Sequence, residues 1–85
     1  MPRLSVDKQT AMLQSVRRHI LGYKAERLAA GSDCHKTAAA LGFETPTMYK
    51  RIKHPETLTF VEVLRIANTL NISVSTLLGE REVTT

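Results

Sequence analysis

A single cysteine, Cys34, is the only thiol in 85 residues, so no disulfide can form within the chain and a reducing, cytoplasmic setting is expected. No apolar run approaches the roughly 20 residues that span a bilayer. The first residues, Met1-Pro-Arg-Leu-Ser5, hold no apolar signal core, so secretion is not indicated. Val, Ile and aromatic residues never alternate over a strand-length window, which argues against a sheet. Three prolines and four glycines are few enough to leave several helices uninterrupted. His19, His35 and His54, with Cys34, lack the spacing of metal ligands, and no nucleophile–base pair or paired carboxylates can be read. The expectation is therefore a chain without metal, cofactor, small-molecule ligand or catalytic activity.

What is present is charge, unevenly placed. The net charge is +4, but residues 8–54 carry nine basic side chains against three acidic ones, Glu26, Asp33 and Glu44. From residue 55 onward, Arg65 and Arg81 face four glutamates. A basic front and a mildly acidic back suit a module that meets a polyanion with one surface. An ordinary solvated basic surface explains the same count equally well.

Helical spacing runs along the whole chain. Residues 7–30 place Met12, Val16, Ile20 and Leu28 on one stripe beside Leu13 and Tyr23, with Arg17, Arg18, Lys24 and Arg27 off it. Gly22 costs about 1 kcal/mol against Ala in a helix interior, so it either kinks this segment or divides an N-terminal extension from a first helix proper. Asp33 is placed to cap a second helix over residues 34–41, ended by Gly42. Thr45 before Pro46 signals a third helix over residues 46–53, which must stop before Pro55. Thr59 and Glu62 form a capping box, with Leu58 and Val63 as its hydrophobic staple. The fourth helix then carries Phe60, Val63, Leu64, Ile66, Ala67 and Leu70 as core candidates. Asn71 can take a left-handed end, and Ser73 can cap a last short helix toward Gly79. These signals predict an all-α, compact five-helix bundle with an extended first helix. Residues 1–15 form the extension, 16–79 the domain and 80–85 a frayed tail.

The segment from Cys34 to Lys53 has the most definition. A short helix with a small residue at Ala38, a sharp turn at Gly42, and a second short helix burying Met48 and Ile52 would brace one helix while pushing the other into a DNA groove. On the wheel of that second helix, Pro46, Lys50 and Lys53 lie opposite Met48 and Ile52. Tyr49 lies on one flank, and Thr47 and His54 on the other.

These spacings resemble the Cro/repressor (XRE-like) helix-turn-helix proteins of bacteria and phages. Gly31 and Ala38 stand seven apart, Ala38 and Gly42 four apart, and Gly42 and Met48 six apart. The stretch over residues 59–78 is similar to the family's ending, and the resemblance covers roughly residues 16–79. It implies a lambda-repressor-like fold and a sequence-specific regulator of transcription, bound as a homodimer to a palindromic operator in double-stranded DNA. By position in the family, Thr45, Pro46 and Lys50 would face bases, and Cys34, Thr47, Tyr49 and Lys53 would face sugar and phosphate, with Arg17 a further backbone candidate. The resemblance also implies a dimer contact through the last helix and tail (Leu77, Leu78, Val83). The N-terminal extension (Leu4, Val6, Met12, Leu13) competes for that role.

The chain departs from the pattern at several places. Cys34 stands where glutamine often meets a phosphate, and Pro46 where a side chain often meets a base. Ser32 and Thr37 replace apolar residues, which predicts looser packing of the first two helices. Glu44 would repel phosphates. Those departures support a rival reading, a protein-interaction module of antirepressor or antitoxin type that keeps the fold without reading bases.

Overall fold

The computed structural model describes residues 3–79, with side chains from residue 8 onward. Five α-helices follow in order: α1 (Arg3–Ala29), α2 (Cys34–Leu41), α3 (Thr45–Lys53), α4 (Phe60–Leu70) and α5 (Val74–Leu77). One 3-10 turn, Pro55–Thr57, joins α3 to α4, and no strand forms among the described residues. No helix among those residues is long and apolar enough to cross a membrane.

α1 is a single helix of 27 residues, about 40 Å long, and Gly22 neither breaks nor divides it. Buried residues flank the glycine: Val16 and Ile20 lie in the core, and Tyr23 packs against it. This tertiary anchorage outweighs the glycine's propensity cost. The helix is also continuous across residues 15 and 16. Ser15 is only 2% exposed, and its hydroxyl donates to the Leu77 carbonyl at 2.9 Å, tying α1 to the end of α5. His19 Nδ1 in turn donates to the Ser15 carbonyl at 2.8 Å.

The core joins Val16 and Ile20 of α1, Ala38 and Leu41 of α2, Met48 and Ile52 of α3, Ile66 and Ala67 of α4, and Leu77 of α5. Phe43, between α2 and α3, plugs in from the turn. Thr37 is fully buried rather than loosening the packing. Its hydroxyl donates to the Asp33 carbonyl one turn back at 3.0 Å, so the polar group is satisfied within its own helix.

Three expected core residues are exposed instead: Leu28, Leu64 and, at 72%, Phe60. On α4 the residues facing the body are Val63, Ile66, Ala67 and Leu70, an i, i+3, i+4, i+7 stripe. Phe60 opens the helix and Leu64 projects from its flank, so an apolar composition on nearly every side overstated the buried face. Leu77, expected at a dimer contact, is fully buried by its own chain and cannot serve there, while Leu78 is half-buried. Met12 and Leu13 are half-buried too. The Leu4, Val6 and Val83 side chains lie outside the described residues.

Candidate nucleic-acid interface

The geometry begins with caps. Asp33 accepts from the Lys36 amide at 2.8 Å and starts α2, placing a carboxylate at the positive end of the helix dipole. Gly42 ends α2 with φ at +88°, a left-handed conformation that admits glycine without strain. A Cβ at Gly42 would also lie 3.1 Å from the Arg65 stem, a tight contact that this side chain would have to relieve by a few tenths of an ångström. The chain therefore reverses tightly, Phe43 turns inward, and α3 starts two residues later.

α3 begins at Thr45, one residue before the expected start, with Glu44 rather than Thr45 at the cap position. The Glu44 side chain makes no capping hydrogen bond. Pro46 is tolerated in the first turn because an N–H there has no intrahelical acceptor to lose. The Thr45 hydroxyl instead lies 3.3 Å from His35 Nδ1, joining the starts of α2 and α3.

Both flanks of α3 are held. On one side, Tyr49 places its hydroxyl 3.0 Å from Cys34 Sγ, and the Lys24 ammonium lies over its ring at 5.2 Å from the centroid. On the other, Arg51 grips Glu62 of α4 with both arms, Nε to Oε1 at 3.0 Å and Nη2 to Oε2 at 3.1 Å. Its remaining arm donates to the Thr57 hydroxyl at 3.1 Å. Glu62 also completes the capping box: it accepts from the Thr59 amide at 2.9 Å, and its own amide donates to the Thr59 hydroxyl at 3.1 Å. Burial raises the Glu62 pKa. The hydrogen bond from the Thr59 backbone, the Arg51 guanidinium's hydrogen bonds and charge, and the Thr59 side chain outweigh that, and hold the carboxyl below its ordinary value.

With both flanks and the inner face engaged, the free stripe of α3 is the one carrying Pro46, Lys50 and Lys53, all exposed. Lys36 of α2 is exposed as well. Among the base candidates, Pro46 and Lys50 are open to solvent, whereas Thr45 is half-buried against His35. Among the backbone candidates, Lys53 is exposed and Thr47 is half-buried. Cys34 and Tyr49 occupy each other, although Tyr49 remains 42% exposed. Arg17 is half-buried on α1, seven residues and thus two turns before Lys24 on the same side, and its Nε has no hydrogen-bond partner among the described residues. No three His, Cys, Asp or Glu side chains come together there as a metal site would require.

Neither the Arg51–Glu62 clamp nor the Lys24 contact follows from local spacing in the sequence. On the wheel of α3, Arg51 lies to the side, between the buried and the free faces. Only its opposition to a capping-box glutamate 11 residues on hinted at more. No protein-family model, curated protein or solved structure matches the chain.

Proposed function

We propose that this chain is a sequence-specific double-stranded DNA-binding regulator of transcription, of the lambda-repressor-like, Cro/repressor type. It works in the cytoplasm as a homodimer on a palindromic operator. The observation that carries the reading is α3 braced at Tyr49 and at Arg51, with Lys50 and Lys53 outward on the basic half of the chain. A rigid helix of this kind can enter a major groove without ordering its own backbone on binding. Lys50, at the centre of the free stripe, donates to guanine O6 or N7, with Pro46 and Thr45 beside the bases at the helix start. Lys53, Thr47 and Lys36 meet phosphates, and so do Tyr49 and Cys34 where their mutual contact leaves them accessible. Lys24 and Arg17 add charge from α1.

Glu44 favours the rival reading. It stands exposed at the entrance of α3 with no capping bond to hold it away from an approaching polyanion. A module that grips a partner protein would tolerate it better. Selection from random duplexes, followed by gel-shift titration at two salt concentrations, separates the two. The regulator enriches a palindrome, binds with a steep salt slope and loses discrimination on Lys50→Ala. No enriched site, with a specific partner protein recovered in its place, would refute DNA reading.

A further inference from the structure

The outer face of α4 carries Phe60, Val61 and Leu64 at 72%, 55% and 41% exposure, the most exposed cluster of large apolar side chains among the described residues. Phe60 and Leu64 are one turn apart, and Val61 lies on the far side of Leu64, about 60° further round the helix. Exposed apolar groups gathered in this way, at the start of a helix whose inner stripe is already filled, mark a contact surface.

We propose that this patch is where a second copy of the chain docks, α4 against α4′ across a twofold axis. Charge selects the occupant. Each copy carries +4, and the excess sits in residues 8–54, so two copies repel over the α1–α3 side. Residues 55–79 hold one basic side chain, Arg65, against Glu56 and Glu62, and the three patch residues are uncharged. Like molecules can approach there, because the exposed charges nearest the patch, Arg65 one turn after Val61 and Glu56 before the helix, are of opposite sign. A twofold contact needs a self-complementary surface, and an apolar i, i+4 pair provides one.

The position of the patch relative to α3 adds a second argument, which rests on the DNA reading above. Glu62 points toward Arg51 of α3, and Phe60 and Leu64, each two residues away, point about 160° from it. The order across the dimer is therefore α3, α4, α4′, α3′. With packed helices roughly 8–10 Å apart, and α3 reaching α4 through the long Arg51 side chain, the two α3 helices stand about 30 Å apart. That is close to the roughly 34 Å between successive major grooves on one face of DNA. Three side chains per copy fall well short of the roughly 800 Å² per partner of a stable free interface. Association is therefore weak in solution, and adjacent half-sites strengthen it by raising effective concentration.

Sedimentation equilibrium without DNA tests the contact directly. Wild type should show a reversible, concentration-dependent monomer–dimer equilibrium. Phe60→Asp, and separately Leu64→Gln, should weaken it by about tenfold or more, with circular dichroism showing the fold retained. Wild type that stays monomeric at every concentration, or an equilibrium unchanged in both variants, overturns the proposal. On a selected duplex, Phe60→Asp should keep affinity for a single half-site and lose cooperativity on two. Loss of single-site affinity would make the patch a DNA contact and overturn it as well. If no duplex is bound, the DNA reading fails alone, and sedimentation still decides the α4 contact.

Discussion

Glu62 is the carboxylate on which the setting of α3 depends, and replacing it separates two contributions. In Glu62→Gln, the amide oxygen can still accept from the Thr59 backbone, because glutamine serves at that position of a capping box. What disappears is the charge and the two-armed fit to Arg51. The pair is largely buried, with side-chain exposures of 18% for Arg51 and 16% for Glu62, so solvent screens it little. Hydrogen bonds to a charged group contribute about 1.5–3 kcal/mol, and one weakened arm remains, so we expect a loss of about 1–2 kcal/mol. Glu62→Ala removes the return bond of the capping box as well and leaves a half-buried guanidinium with only Thr57. A loss of about 2–4 kcal/mol follows. For a domain of this size each kcal/mol shifts Tm by roughly 4–8 °C. The glutamine variant should therefore melt about 5–15 °C below wild type, and the alanine variant lower still.

The pH dependence provides the check. The folded-state carboxyl titrates below its ordinary value of 4.5, so the unfolded chain binds the proton first as pH falls. The pair's contribution is complete above pH 4.5 and is lost as pH drops through the lower folded-state value. The gap between wild type and Glu62→Gln should stay constant from neutral pH to about 5 and close in stronger acid. A double-mutant cycle with Arg51→Met, read by urea melts at neutral pH, should return a coupling of about 1–2 kcal/mol. A coupling near zero, or a gap that does not close in acid, would refute the clamp.

Gly22→Ala should stabilise the protein by about 0.5–1 kcal/mol, since an added Cβ meets nothing within 4 Å and the helix is continuous there; a thermal melt reads it. Ser15→Ala should cost about 1–2 kcal/mol by leaving the buried Leu77 carbonyl without its donor, measured by urea titration. Gly79→Ala should be worse than a left-handed strain of about 1–2 kcal/mol alone, because its Cβ would fall 2.8 Å from Ser15 Oγ; the same titration decides. For DNA binding, Lys53→Ala should lower affinity about equally across duplexes and reduce the salt slope by about one, whereas Lys50→Ala should cost about 1–3 kcal/mol at one base position; gel shifts across salt and sequence distinguish them.

Which parts of this molecule could be read in advance follows from the range of each interaction. The caps at Asp33, Thr59 and Ser73 and the left-handed ends at Gly42 and Asn71 involve neighbours a few residues apart, and all five form where the sequence placed them. The buried pair Met48 and Ile52 followed from a wheel of one short helix with a charged opposite face. Periodicity was less informative on α4, where apolar residues occur on nearly every side and only neighbouring helices decide which are covered. Hence Phe60 and Leu64 read as core in the sequence and are exposed, while Phe43, a lone aromatic in a turn with no periodic signal, is buried. The contacts that set α3 span 11 residues for Arg51 and Glu62 and 15 for Cys34 and Tyr49, and no local pattern encodes their approach. A cap is decided by the chain next to it. The exposure of Lys50 and Lys53 follows from their place opposite the buried Met48 and Ile52, whereas the brace on the flanks of α3 depends on the approach of residues distant in the sequence.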